Sequence, residues 1–208
     1  MGFLCSKRFL GGVGRLVEEI GATQLLELAA GLSPRGMELA QRGVVVYVEA
    51  DLAASMTLKR QVVTAILGSV PKSLFLCGAS VIDRVQLLTR CFPFVTEQPV
   101  TVTAEGLLRY LTLEEKAHLS ANVNEVLRRF GGWWITPDIH LRNWAQRQSP
   151  MYGQSTEATL GRNLDSNYFD DLDHAQRFFG RCGLAVNSRP LLEGIRDQMA
   201  APLKRPIH

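Results

Sequence analysis

The sequence is poor in the features that would tie it to a metal, a membrane or a redox cycle. Its four cysteines, Cys5, Cys77, Cys91 and Cys182, form no C-x-x-C pair and lie too far apart for a zinc motif. Reduced thiols in a cytoplasmic protein are the expectation. The histidines, His118, His140, His174 and His208, show no ligand spacing, so no metal is expected. No apolar run is long enough to span a membrane, and no membrane partner is expected. Neither sign of charge dominates. The 23 Lys and Arg against 20 Asp and Glu leave a formal +3, with basic residues scattered except in short runs such as Arg128-Arg129 and Lys204-Arg205. That balance does not imply a nucleic-acid partner. The G-x-G-x-x-G turn of pyrophosphate-binding dinucleotide enzymes is missing, which argues against a nicotinamide or flavin oxidoreductase. Internal repeats, low-complexity tracts and interdomain linkers are missing too. The opening Met1-Gly2-Phe3-Leu4-Cys5-Ser6 fits the loose N-myristoylation pattern. The bulky Phe3 beside the acceptor glycine favours an ordinary N-terminus leading into a helix.

What is present is an ordinary globular composition, 46% hydrophobic and 21% charged over 208 residues. This predicts one domain across 1–208 with a sizeable core. Apolar residues at helical spacing (Val13, Leu16, Val17, Ile20) end at Gly21. Strands are then expected at 24–29, 44–48, 73–77, 100–104 and 133–136. Helices are expected at 34–41, 56–67 and 81–88, and from the Thr112-Leu113-Glu114-Glu115 capping box to Phe130. A helix at 174–181 and a strand at 184–188 close the pattern. The polar stretch from Gln146 to Asn167 lacks periodicity and is expected to lie as a lid over the strand ends. Strand–helix alternation of this kind makes an α/β fold with a mostly parallel sheet and helices on both faces.

The densest information lies between residues 25 and 51. Gly31 follows the first strand, where a residue without a Cβ lets the backbone come close to a ligand. Ser33 is placed to N-cap the next helix, with Pro34 at its first position. Glu27 stands in an otherwise apolar strand, and a buried carboxylate needs a partner such as Arg35 or a ligand ammonium. Asp51 follows Gly31 by twenty residues, the spacing at which a second-strand acid reaches a ribose diol. Glu49 projects from the same strand face, and periodicity leaves the choice between them open. A nucleotide-like ligand on a turn with a single glycine carries no pyrophosphate, which points to S-adenosylmethionine.

Glu27-Leu28-Ala29-Ala30-Gly31-Leu32-Ser33-Pro34-Arg35-Gly36, Tyr47-Val48-Glu49-Ala50-Asp51-Leu52 with Lys59 downstream, Ala104-Glu105-Gly106-Leu107-Leu108-Arg109-Tyr110-Leu111, and Gly131-Gly132-Trp133-Trp134-Ile135-Thr136-Pro137-Asp138 occur in that order. Together they resemble the class I S-adenosylmethionine-dependent methyltransferases, and within them the leucine carboxyl methyltransferase and polyketide O-methyltransferase group. The resemblance covers about residues 15 to 190. It implies a Rossmann-like sheet and S-adenosylmethionine held by Glu27, Ala29, Gly31, Arg35, Asp51 and Glu105. Glu27 and Gly31 would line the methionine end, Asp51 the ribose, and Glu105 the region of the sulfonium. Tyr110 and His140 are candidates for the acceptor site, and the acceptor implied is a small molecule methylated on a carboxyl or hydroxyl oxygen.

Two departures from the family pattern stand out. The third strand ends in Cys77-Gly78-Ala79, where related enzymes place an acid for the adenine, and Asp83 lies several residues further on. Only some two dozen residues precede the first strand, where the family carries a helical cap. A second reading therefore accompanies the methyltransferase: the same fold binding the cofactor without turnover.

Overall fold

The computed structural model describes residues 13–142, apart from 15, 44, 91 and 92, together with 167–186. Its framework is five strands: β1 (Gln24–Leu28), β2 (Val46–Asp51), β3 (Leu74–Gly78), β4 (Val100–Ala104) and β5 (Gly132–Ile135). All pair in parallel, in the spatial order β3-β2-β1-β4-β5. The chain moves outward from β1 to β3, then returns to lie beside β1 on its other side. The seam between β1 and β4 is where the strand order reverses, and in open α/β sheets ligands bind outside the strand C-termini at that seam.

Among the described residues, the helices α1 (Arg35–Gln41), α2 (Ala53–Leu67), α3 (Arg84–Arg90), α4 (Leu113–Phe130) and α5 (Leu172–Arg181) connect and cover the strands. Strand side chains alternate between faces, and the two cores follow that parity. Leu25, Tyr47, Leu74 and Leu76 meet Leu39 of α1 and Met56 and Val63 of α2. Leu26, Leu28, Val48, Ala50, Val100, Val102 and Ala104 meet Leu87 of α3, Leu119, Val123 and Val126 of α4, and Phe179 of α5. β1 and β4 are buried along their whole lengths, as central parallel strands covered on both sides must be.

Apart from the last strand, the expected strands and the helices after β1 are present, with shifted ends. β2 runs to Asp51 rather than stopping at Val48, because Ala50 still pairs with Leu28 and Cys77. α1 starts one residue later than expected. Pro34 is its cap, and Ser33 makes only a long bond, accepting from the Arg35 N–H at 3.4 Å. The Thr112 capping box forms as expected, with Thr112 and Glu115 bonding reciprocally. Leu184 to Val186 adopt no regular structure, which corrects the strand expected there, and its last two residues lie outside the described ones. So does most of the polar stretch from Gln146 to Asn167, and the lid expected of it. Among the described residues, no helix is long and apolar enough to cross a membrane, and no group of three His, Cys, Asp or Glu is arranged to hold a metal.

Gly132 at the start of β5 has φ +109°, and a Cβ there would meet the Val100 carbonyl oxygen of β4 at 2.1 Å. Gly43, between α1 and β2, also has positive φ (+72°) but open space around its Cβ position. Gly43→Ala should cost only the left-handed strain, about 1–2 kcal/mol. Gly132→Ala should cost at least twice that, since it must also push a pair of hydrogen-bonded strands apart. Urea unfolding of the two variants measures the difference, and equal losses would contradict this packing.

Candidate active site at the strand ends

β1 ends at Leu28, and the chain turns sharply: Ala29 has φ +52° and Gly31 also has φ +52°. Ala29 is the one described non-glycine residue with positive φ. Its N–H still donates to the Ala50 carbonyl at 2.8 Å, which ties the turn to β2. At the end of β2, the Asp51 carboxylate accepts from the Gly31 N–H at 2.8 Å through Oδ2 and from the Leu52 N–H at 2.6 Å through Oδ1. A carboxylate offers about four lone-pair sites, so Asp51 shapes the turn and keeps acceptor capacity for a ligand hydroxyl. Nothing lies within 4 Å of a Cβ built on Gly31. The space beside the turn is open.

Beneath the turn lies a buried ionic cluster. Arg35, the first residue of α1, is 7% exposed. It donates to Glu27 Oε1 at 3.0 Å and to Glu105 Oε1, bridging the β1–β4 seam. Tyr47 donates its hydroxyl to the other Glu27 oxygen at 2.6 Å. Burial alone would lower the Arg35 pKa, but Glu27, then Tyr47 and Glu105, outweigh it and hold the pKa above its ordinary value. The Tyr47 hydroxyl is pushed well up, by burial first and by Glu27 second. Glu105 is raised as well, chiefly by burial and against the pull of Arg35. Its second oxygen, Oε2, is buried with no hydrogen-bond partner. One step lower on β2, Glu49 is fully buried, and the Lys59 ammonium lies 2.8 Å from its Oε2. Lys59 also donates to the Ser33 carbonyl, which links α2 to the turn. A Cβ on Gly36 would meet Glu49 Oε1 at 2.1 Å and the Tyr47 ring at 3.0 Å, so a larger residue here would displace the Glu49 carboxylate.

Glu49 and Asp51, the two acids on this face of β2, differ in depth. Asp51 sits at the strand end beside Gly31, whereas Glu49 is a submerged partner of Lys59.

Sequence reasoning missed the support for Glu105. Asp138, 3% exposed, follows β5, and its carboxylate accepts from the N–H groups of Gly106 at 2.9 Å, Leu107 at 2.6 Å and Leu108 at 3.2 Å. Lys116 of α4 holds the other end of this loop, donating to the Leu111 carbonyl at 3.0 Å and to the Asn167 carbonyl. Its pKa falls to about 8, mainly through burial. The Asn167 amide donates to the Arg109 carbonyl at 3.1 Å. Tyr110 lies on this loop, in the 3-10 turn Leu108–Tyr110, with the Arg109 guanidinium 5.5 Å from its ring centre. His140 follows Asp138 and packs edge-on against Tyr168. Burial, first among the causes, lowers its pKa. Asp83, the acid beyond the third strand, accepts through its two oxygens from the Gln86 backbone and side chain at the start of α3.

Sheet order and the turn after β1 define a Rossmann-like fold of the class I methyltransferase type. A family model described as leucine carboxyl methyltransferase matches residues 2–124, more than half of the 208 residues. The chain belongs to that family. Among solved structures it is similar to a candidate O-methyltransferase from Nostoc punctiforme, 14% identical at TM-score 0.56, with 86% of this chain and 52% of that one covered. It is also similar to PigF with SAH, 13% identical at TM-score 0.56, covering 80% and 46%. An O-methyltransferase family protein from Burkholderia thailandensis is 16% identical at TM-score 0.56, covering 85% and 51%. The chain thus spans about half the length of these structures, and at such identities the likeness is one of fold. No curated protein sequence matches the chain.

The Glu49 carboxyl, ordinarily near 4.5, is pushed up to about 7, mainly by burial and against Lys59. Between those values the folded protein holds a proton that the unfolded chain has released. Stability from this group is present below the unfolded value and is lost as pH rises through about 7. Unfolding midpoints of wild type and Glu49→Gln across this window should diverge, with the variant lacking that loss. Parallel curves would contradict it.

Proposed function

We propose that the chain is an S-adenosylmethionine-dependent methyltransferase acting on oxygen, working as one domain over residues 1–208. The observation that carries this reading is the convergence of the Gly31 turn, Asp51 and Glu105 on the seam where the strand order reverses. The fit of the cofactor rests on three features of the site. Gly31 leaves open space beside its backbone. Asp51 retains lone pairs for a ribose diol. The Glu27–Arg35–Glu105 group offers a buried carboxylate oxygen still lacking a partner, suited to a cationic ligand. Glu27, Ala29, Gly31 and Arg35 would then surround the methionine end.

Bound there, S-adenosylmethionine would supply an already activated sulfonium methyl. The protein's role is to orient it, to exclude water and to hold the acceptor in line. Such positioning is worth about 7–11 kcal/mol of barrier. A carboxylate acceptor needs no base, and the family favours carboxyl over hydroxyl. For a hydroxyl acceptor, His140 is a candidate base, since its lowered pKa keeps the imidazole neutral near pH 7. Tyr110, on the loop that carries Glu105, would wall the acceptor side. The acceptor is proposed to be a small molecule. The free thiols of Cys77 and Cys182 accord with the cytoplasmic location proposed here.

Calorimetric titration with S-adenosylmethionine and S-adenosylhomocysteine tests this directly. Binding should be measurable in the wild type. Loss of charge-assisted hydrogen bonds to a ribose, each worth roughly 1.5–3 kcal/mol, should make Asp51→Ala about a hundredfold weaker or worse. No heat at millimolar ligand, or preferential binding of NAD, would overturn the proposal.

A further inference from the structure

The solvent face of α4 carries an open cleft of about 790 Å³, reaching from the start of α3 to the end of α5. Arg84, Asn124, Glu125, Arg128, Arg129 and Arg181 line it. Four guanidinium groups thus face one carboxylate, an excess of three positive charges, as large as the formal +3 of the whole chain. Only Arg84 is neutralised, its Nε and Nη2 each donating to Glu125 at 2.6 Å. Among the described residues, Arg128, Arg129 and Arg181 form no ion pair. Each stands in the last turn of its helix, where a cation meets the negative end of the helix dipole and gains about 0.3–1 kcal/mol. That accounts for each arginine singly and not for their convergence from two helices on one cleft. A smaller hollow of about 440 Å³ shares Arg84 and Arg129 with the first and is otherwise lined by Val85, Leu88 and Thr89. Val85 is 67% exposed.

We propose that this groove docks an acidic segment of a partner protein, with carboxylates on Arg128, Arg129 and Arg181 and an apolar side chain against Val85 and Leu88. Charge complementarity carries the choice of occupant. The planar guanidinium pairs with a carboxylate through two parallel hydrogen bonds, and arginine is enriched among the residues that dominate protein interfaces. The apolar hollow beside the cleft has no use in holding a free anion. A nucleic-acid strand needs a basic surface along its length, and outside this cleft the charges of the chain balance. The helices α3, α4 and α5 cover the sheet face opposite α1, which bears Arg35. The groove is separate from the Gly31 turn, and the inference does not depend on the cofactor reading.

The test is fluorescence anisotropy at low salt with two labelled peptides: one of mixed Glu, Asp, Leu and Ser, and its counterpart with Gln and Asn in place of the acids. Wild-type protein should bind the acidic peptide at least about tenfold more tightly than the neutral one. Arg128→Glu, at an exposed position in the groove, should weaken the acidic peptide at least about tenfold and flatten its salt dependence. Lys72→Glu, the same change of charge at an exposed position outside the groove, should alter binding by less than about threefold. The wild-type comparison of the two peptides stands without either variant, so a folding defect does not remove the test. Equal binding of the two peptides would overturn the proposal, as would equal losses in Arg128→Glu and Lys72→Glu. Displacement of the acidic peptide by inorganic phosphate at equal concentration, or tighter binding of a single-stranded oligonucleotide, would also overturn it, since either identifies a different occupant.

Discussion

The structure turns on one buried cation. Arg35 is the first residue of α1, yet its guanidinium reaches across the seam between β1 and β4 to hold Glu27 and Glu105 together. A charge taken out of water needs close partners, and a buried pair broken on one side typically costs about 3–5 kcal/mol. This contact therefore fixes where α1 can dock, how the Gly31 turn is shaped above it, and where the end of β4 lies. Tyr47 and the Glu49–Lys59 pair extend the same cluster along β2 and α2. The side chains that shape the crevice are also the ones that seat α1 and α2 on this face of the sheet.

That arrangement explains why much of the site was legible in the sequence. A carboxylate in an apolar strand, at Glu27, announces a buried partner, and Arg35 eight residues on is that partner. Side-chain alternation puts Glu27, Glu49, Asp51 and Glu105 on one face of a parallel sheet, and strand–helix alternation places their strands side by side. What stayed hidden depends on distance along the chain. Tyr47 reads as one more apolar strand residue until β2 is aligned with β1. Asp138 lies about thirty residues after the amides it accepts from, and no local periodicity links them. Depth was hidden as well: Glu49 and Asp51 have equal claims by spacing, and only the register of β2 against β1 and β3 submerges one and leaves the other at the rim.

The loop after β4 is where architecture and function meet. Asp138 takes its amides, Lys116 and Asn167 take its carbonyls, and Glu105 is presented from its first turn. Side chains from the segment after β5, from α4 and from the residues before α5 thus converge on the position of a single carboxylate. Such support is what a binding group needs to be held within a fraction of an ångström. It also ties Glu105 to Tyr110 on the same loop and, through Asp138, to the segment that carries His140. Methyl transfer demands little more than alignment of donor and nucleophile, and a loop tied at both ends is suited to supply it.

The central claim is that the seam between β1 and β4 is a cofactor site built around Gly31, Asp51 and Glu105. A crystal structure with S-adenosylhomocysteine tests it most directly. Ligand density is expected along the strand C-termini, with the ribose hydroxyls on Asp51, the methionine end over the Gly31 turn, and the sulfur on the Glu105 side. Density elsewhere on the protein, or an empty crevice at saturating ligand with Arg35 still spanning Glu27 and Glu105, would contradict it.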